Sequence, residues 1–190
     1  IIKDHPQKSR LFKSSISKNN IEIINELAKE TGIEWFCTPM TIDAVKLLNP
    51  FVKRFKIREY DSRELIENKI TDLFENLLKT GKQIMISTEK SPTNCKFFKH
   101  PQVQWLYCVP KYPCNINDLD LNNIKEFHGY SNHCCEITAP LTAAILGANI
   151  IEVHITSDKS KDFFDNNVSF EYTELSELVR LIRCVEKIPK

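Results

Sequence analysis

The sequence has little glycine, and it lacks the motifs that would assign a nucleotide-binding fold. Its 190 residues contain only four glycines, and neither GxGxxG nor GxxxxGK[ST] can be written with them. These absences argue against a Walker-type NTPase and a conventional dinucleotide-binding site. No apolar run approaches the ~20 residues of a membrane-spanning helix, and the opening IIKDHPQKSR has no signal-peptide core. We expect a cytoplasmic protein without a membrane partner.

Neither sign of charge is in excess. The 26 Lys and Arg residues are balanced by 25 Asp and Glu residues, for a net charge of +1. Bulk charge therefore gives no reason to expect a nucleic-acid partner, although a local cationic pocket is compatible with it. With 42% hydrophobic and 27% charged residues the chain is an ordinary globular domain, or part of one.

Seven cysteines are present, but no two form a CxxC pair, so neither a zinc knuckle nor a thioredoxin motif is supported. Several lie in apolar runs, where a thiol behaves as a small hydrophobe. We expect reduced structural thiols. A catalytic Cys/His pair at His133 and Cys134 or Cys135 is disfavoured, because adjacent side chains diverge.

The hydrophobic pattern alternates between strands and helices. Six short runs rich in β-branched and aromatic residues predict strands at 33–39, 54–58, 83–87, 103–109, 126–131 and 149–156. Apolar residues at helical spacing predict helices at 19–31, 62–80, 135–147 and 173–186. A capping box at Asp61 and Glu64 is expected to begin the second of these helices. Alternating strands and helices indicate a parallel sheet, and six or more units favour a (β/α) barrel over an open doubly wound sheet.

Active sites of parallel barrels lie at the carboxyl ends of the strands, and two histidines occur there. His133 follows the fifth predicted strand and His154 lies in the sixth. Two imidazoles completed by water and substrate oxygens suit Mn, Fe, Co or Zn better than Mg or Ca. The alternative is that each histidine is a hydrogen-bonded core residue.

Lys56 lies inside the otherwise apolar run RFKIR. On an inward face of a barrel its ammonium needs an anionic partner to offset desolvation. Ser87 and Ser131 lie at nearby strand ends, so a phosphate group is a natural partner. A lysine paired within the structure is the alternative.

Together these segments resemble the sialic acid synthase family, which includes N-acetylneuraminate, legionaminate and pseudaminate synthases. The most specific block is HGYSNHCCEITAPLTAAILGANIIEVHITSDK, residues 128–159, which is similar to that family's G-Y-S-D-H-T…A-x-A-L-G-A-x-x-I-E-x-H-F-T-x-D-K. Weaker matches are GIEWFCTPMTIDAVKLL, FKIREYD, IMIST and WLYCVPKYPCNINDLDLNNI.

The resemblance implies a metal-dependent enzyme that forms a carbon–carbon bond. The family condenses phosphoenolpyruvate with N-acetylmannosamine or a related amino sugar and releases phosphate. The resemblance implies a divalent metal, with Mn²⁺ expected first and Mg²⁺ or Co²⁺ as alternatives. By position it implies metal ligands at His133 and His154, phosphoenolpyruvate contacts at Lys56, Ser87 and Ser131, sugar contacts at Thr38, Tyr112 and Asp165, and catalytic roles for Asp61 and Lys56.

Several positions depart from the family pattern. Glu59 and Tyr60 stand where the family has Ser-Gly, Glu89 replaces a glycine, Pro110 replaces a polar residue and Asn132 replaces an aspartate. Negative charge beside a phosphate site should weaken phosphate binding. Two alternatives therefore stand beside the synthase: a weakened barrel with a binding or regulatory role, and another metal-dependent aldolase-type enzyme on the same fold.

The length is short for a closed (β/α)8 barrel, which needs ~250 residues. The resemblance aligns the six predicted strands with the third to eighth strands of the family barrel. We therefore expect residues 1–190 to form a partial barrel that lacks the first two strands and the family's C-terminal antifreeze-like domain. The full-length protein is expected to be a homodimer.

Overall fold

The computed structural model describes residues 8–188 as an α/β fold. The helices are α1 (Lys8–Ser14), α2 (Lys18–Thr31), α3 (Ile42–Leu48), α4 (Glu59–Ile66), α5 (Asp72–Leu78), α6 (Thr138–Leu146) and α7 (Tyr172–Val185). The strands are β1 (Arg54–Ile57), β2 (Gln83–Thr88), β3 (Val103–Tyr107), β4 (Gly129–Ser131), β5 (Ile150–Glu152), β6 (Ile155–Thr156) and β7 (Phe170–Glu171). Short 3₁₀ helices span Ile116–Asp118 and Ile124–Glu126.

Strands β1 to β5 form one sheet in sequence order, and every neighbouring pair is parallel. If the sheet were flat, β1 and β5 would lie roughly 19 Å apart, at about 4.8 Å per strand. The side chains of Lys56 in β1 and Glu152 in β5 nevertheless approach to 3.2 Å. The sheet is therefore strongly curved, and the prediction of a parallel barrel-like sheet is confirmed as a five-stranded half-barrel.

Each strand divides its side chains between two layers, as the two-residue period of a strand requires. Phe55, Ile84, Trp105 and Tyr130 belong to the apolar core between the sheet and its helices, and all four are at most 1% exposed. The intervening positions face the concave side of the half-barrel. They are Lys56, Met85, Ser87, Leu106 and Ser131.

The prediction of a strand at residues 33–39 is wrong. It contributes a single parallel bridge, between Cys37 and Phe55, in which the Lys56 amide donates to the Cys37 carbonyl at 3.1 Å. The segment has a neighbour on one side only among residues 8–188, and Pro39 then removes a backbone donor. It lies along β1 without forming a ladder.

The single helix predicted over 62–80 is two helices. Asn68 between them has a φ of 64°, a left-handed conformation that asparagine tolerates better than most residues. Thr71 then begins α5 by accepting a hydrogen bond from the Phe74 amide. Helix α4 begins at Glu59 after Arg58, so the predicted capping box is also wrong, and Asp61 lies inside the first turn.

The other predicted helices are confirmed. Helix α2 ends at Gly32, with a φ of 68°, and α7 runs from Tyr172 to Val185. Helix α6 begins at Thr138, so Pro140 lies in the first turn, where no amide donor is needed. The strand predicted over 149–156 is divided into β5 and β6, and β6 pairs with β7. No helix within residues 8–188 is long and apolar enough to cross a bilayer.

Gly129 permits the close approach of β4 to β5. A Cβ atom at this position would lie 2.2 Å from the Ile150 carbonyl oxygen, which belongs to the backbone and cannot move away cheaply. We expect Gly129→Ala to lower the free energy of unfolding by about 2 kcal/mol or more, because strand spacing would have to increase. Urea denaturation measures the change.

The matched control is Gly81→Asn. Gly81 has a φ of 72°, which asparagine tolerates, and a Cβ atom added there would meet no atom of the described residues within 4 Å. The midpoint of urea denaturation for Gly81→Asn should stay near that of the unsubstituted protein. Equal midpoints for Gly129→Ala and the parent would contradict the close approach.

Candidate active site

A cleft of about 430 Å³ opens at the carboxyl ends of the sheet strands. This position is the one at which parallel α/β proteins carry their sites. Its walls combine charged, hydroxyl, thiol and imidazole groups. The lining residues are Thr38, Lys56, Arg58, Glu59, Tyr60, Arg63, Ser87, Cys108, Pro110, Tyr112, Ser131, His133, Glu152, His154 and Asp165.

Lys56 forms the cationic floor of the cleft. Its side chain is buried, and Nζ donates to Ser87 Oγ at 2.6 Å and lies 3.2 Å from Glu152 Oε2. Ser131 is equally buried beside β5, in register with Glu152. The buried ammonium is thus balanced by one carboxylate, and two hydroxyl groups lie on the same wall.

His133 and His154 lie side by side, with ring centroids 5.4 Å apart. His133 Nδ1 donates to the Val109 carbonyl oxygen at 2.7 Å, which fixes the tautomer and leaves Nε2 without a proton in the neutral ring. His154 Nδ1 is buried and has no hydrogen-bond partner among the described residues, while its Nε2 lies 3.6 Å from Asp165 Oδ2.

Burial lowers the pKa of His133, and this effect outweighs the hydrogen bond to Val109, which raises it. The nearby His154 lowers the pKa of His133 further. A lowered pKa favours the neutral imidazole, which is the form that coordinates a metal ion.

Tyr112 covers the histidine pair. Its ring centroid lies 3.9 Å from that of His133, and it meets His154 nearly edge-on at 5.8 Å. Burial raises the pKa of the Tyr112 hydroxyl, so this group remains a hydrogen-bond donor.

The start of α4 supplies the mouth of the cleft. Arg63 Nε and Nη2 contact both carboxylate oxygens of Glu59, at 2.8–3.1 Å. Arg58 Nε and Nη2 hold Asp61 in the same manner, at 2.7 and 3.0 Å. Both guanidinium groups lie close to the Tyr60 ring, with Arg58 Cζ 5.9 Å and Arg63 Cζ 5.4 Å from its centroid.

The cleft brings together most of the residues predicted from the sequence. Asp61 does not line it; its carboxylate is engaged by Arg58. The predicted residues that line the cleft are Thr38, Lys56, Ser87, Tyr112, Ser131, His133, His154 and Asp165.

Four lining residues were missed by sequence reasoning: Arg58, Arg63, Cys108 and Glu152. Glu152 could have been found, because it stands two residues before His154 and alternate strand residues face the same side. Arg58 and Arg63 could not, because their positions depend on where α4 begins.

The positions that depart from the family pattern fall into two groups. Glu59, Tyr60 and Pro110 line the cleft, whereas Glu89 lines a neighbouring pocket. Asn132 turns away from the cleft: its Oδ1 accepts from the Tyr130 hydroxyl at 3.0 Å, and its Nδ2 donates to the Cys134 carbonyl at 2.8 Å.

The described part of the chain has no cluster of three or more His, Cys, Asp or Glu side chains able to surround a metal ion. Within that part, the Nε2 atom of His133 has one weak contact, with Cys108 Sγ at 3.9 Å, and the Nδ1 atom of His154 is buried without a hydrogen-bond partner. This donor set fits an ion that takes its other ligands from water and substrate oxygens.

A model of the NeuB family matches residues 3–189. An uncharacterised protein of Methanocaldococcus jannaschii is 33% identical over 195 residues, which cover 94% of this chain and 56% of that protein. The human N-acetylneuraminate-9-phosphate synthase is 30% identical over 180 residues, which cover 86% of this chain and 48% of that enzyme. The chain thus spans about half the length of the curated relatives it matches.

A solved structure similar to this one is the N-acetylneuraminic acid (sialic acid) synthetase of Leptospira borgpetersenii in complex with citrate. The TM-score is 0.84 at 27% identity, and the alignment covers 97% of this chain and 68% of that one. The similarity extends over both the half-barrel and the helices around it.

The cysteines should differ sharply in reactivity. Cys108 lies on the cleft wall but is 1% exposed, and burial raises its pKa to about 12, so little thiolate forms at pH 8. Cys135 and Cys184 are exposed. We expect iodoacetamide to label these two within minutes and Cys108 only after unfolding, as followed by peptide mass spectrometry. Labelling of Cys108 in the folded protein at the rate of Cys184 would contradict the burial.

Proposed function

This chain belongs to the NeuB family, and from that premise we propose that it condenses phosphoenolpyruvate with N-acetylmannosamine or a related 2-acetamido sugar. The product is a sialic-acid-like nonulosonate, and phosphate is released. The observation that carries the proposal is the buried Lys56 ammonium, bonded to Ser87, in the same cleft as the adjacent pair His133 and His154.

Lys56, Ser87 and Ser131 are assigned to phosphoenolpyruvate. The ammonium supplies a point charge and the two hydroxyls donate hydrogen bonds, which together suit a phosphate group. Lys56 also acts in catalysis, because it opposes the negative charge that grows on the phosphate as it leaves.

His133 and His154 are assigned to a divalent metal ion, Mn²⁺ first, with Mg²⁺ or Co²⁺ as alternatives. When bound, such an ion polarises the sugar aldehyde as a Lewis acid. The hydrogen bond from His133 Nδ1 to the Val109 carbonyl holds the ring so that Nε2 can face the ion.

Thr38, Tyr112 and Asp165 are assigned to the sugar. In the proposed reaction C3 of phosphoenolpyruvate bonds to the aldehyde carbon, water adds at C2, and the C2–O bond to phosphate then breaks. Asp61 acts indirectly in this scheme, because it lies outside the cleft and orients Arg58.

We extend the proposal to the parent protein. Residues 33–39 are assigned to the third strand position of an eight-stranded barrel and the five strands of the half-barrel to its fourth to eighth strands. Two further strands, a C-terminal antifreeze-like domain and a homodimeric partner in the cytoplasm complete the proposed protein. The coverage of about half of each relative supports this assignment.

A second candidate is a barrel that binds its ligands but turns over poorly. Glu59 and Pro110 favour it, because each replaces a polar group of the family pattern within the cleft. Binding of phosphoenolpyruvate without phosphate release for any acceptor would select this candidate over the synthase.

Phosphate release tests the synthase assignment and the metal ligands together. The protein is incubated with phosphoenolpyruvate, Mn²⁺ and a panel of 2-acetamido sugars. His133→Gln and His154→Ala should each lower metal-dependent turnover by at least about 100-fold, with the circular dichroism spectrum kept. His100→Ala, outside the cleft, is the control. Full activity of either cleft variant would refute the ligand assignment.

Lys56→Met tests whether the Lys56 ammonium binds the anion at the floor of the cleft. Removing the ammonium leaves Glu152 without its cation, so both the lost attraction and the unpaired carboxylate should weaken phosphoenolpyruvate binding, by about 100-fold. Calorimetric titration with phosphoenolpyruvate measures the loss. The control is Lys79→Met, which breaks the exposed Lys79–Glu75 pair. An unchanged affinity in Lys56→Met would place the anion elsewhere.

A further inference from the structure

Glu59 places a carboxylate on the cleft wall, close to the residues assigned to phosphate. Its side chain is only 11% exposed. Burial is the main cause of the raised pKa of the Cys108 thiol on the cleft wall, and the charges of Glu152 and Glu59 raise that pKa further. An uncompensated carboxylate in this position would repel an entering anion.

Arg63 compensates this charge. It follows Glu59 by one helical turn, at the i,i+4 spacing that brings two side chains to the same face of α4. Both oxygens of Glu59 accept hydrogen bonds from the Arg63 guanidinium. The planar guanidinium fits the carboxylate in two places at once, so the pair presents little net charge to the cleft.

Among residues 8–188, no other cation lining the cleft is free for this task. Arg58 holds Asp61 through two nitrogens. Lys56 is occupied by Ser87 and by the carboxylate of Glu152. Compensation of the Glu59 charge therefore depends on Arg63.

We propose that Arg63 is a positioning residue which makes anion binding possible in this cleft, because it neutralises Glu59 and holds its carboxylate against α4. The ligand class is a phosphate monoester or inorganic phosphate seated beside Lys56. The identity of the reacting anion rests on the proposed function, but the electrostatic role requires only that a phosphate group binds there. Glu59 and Arg63 then act as one unit, and each changes anion affinity only through the other.

The test is a double-mutant cycle with Arg63→Met, Glu59→Gln and the double variant. Calorimetry with inorganic phosphate at low ionic strength gives the affinity, and phosphoenolpyruvate kinetics give KM and kcat separately. The control is Arg180→Met. Arg180 is about as exposed as Arg63 and forms a bidentate pair with Glu177 on α7, remote from the cleft.

Arg63→Met should weaken phosphate binding by about tenfold and raise KM for phosphoenolpyruvate by a similar factor, with kcat little changed. Glu59→Gln should bind phosphate about as tightly as the unsubstituted protein, and the double variant should recover that affinity. Arg180→Met should match the parent. Thermal melting of each variant separates an electrostatic effect from unfolding.

Two results would overturn this inference and leave the proposed function intact. One is an Arg63→Met variant with parental affinity. The other is a double variant as weak as Arg63→Met, which would mean that Arg63 contacts the anion directly. If the parent itself binds neither phosphate nor phosphoenolpyruvate, the proposed function fails, and this inference fails with it.

Discussion

The ion pair between Lys56 and Glu152 is the interaction on which the cleft depends. The two residues belong to the first and last strands of the five-stranded sheet, yet their charged atoms are 3.2 Å apart. A buried ammonium is stable only beside a negative partner. Because the partner of Lys56 belongs to the opposite end of the sheet, the charge balance of the interior requires the sheet to be curved. The same curvature brings the hydroxyls of Ser87 and Ser131 into one concave space.

The cleft is rich in charge but locally balanced. Lys56 is opposed by Glu152, Arg58 by Asp61 and Arg63 by Glu59. The overall balance of 26 basic and 25 acidic residues is thus repeated at the scale of single pairs. Any preference for an anion must come from how these pairs are arranged and solvated, because the described walls of the cleft carry no large surplus of positive charge.

The parts of the fold that follow from local pattern could be predicted. Helices α2 and α7 carry apolar stripes that are recognised without tertiary information. The strand over 33–39 could not be told from a segment that only lies along β1, since its composition is the same in both cases and the difference lies in how many neighbours it pairs with. The break at Asn68 was missed for a related reason: the apolar spacing continues across it.

The candidate site was predictable where its chemistry depends on strands and less so where it depends on a helix start. His133 and His154 lie at strand ends, where parallel topology alone brings side chains together. Asp61 was expected in the site because the resemblance aligns it with an acidic residue of the family, but α4 begins at Glu59 and the Asp61 carboxylate is held by Arg58 instead. The helix starts three residues before the predicted position, at Glu59 and not at residue 62, so that a different carboxylate lines the cleft. Hydrophobic periodicity does not specify the start of a helix to this accuracy.

The two-residue alternation at the strand ends has a consequence for how this sequence can change over time. Ser131 and His133 enter the cleft while Asn132 between them faces the opposite layer, and Glu152 and His154 follow the same spacing. A substitution at one of these positions alters one group. The insertion or deletion of a single codon would exchange the inward and outward sets, placing Asn132 in the cleft and an imidazole in the core. Changes of length here should therefore be tolerated far less than changes of residue type.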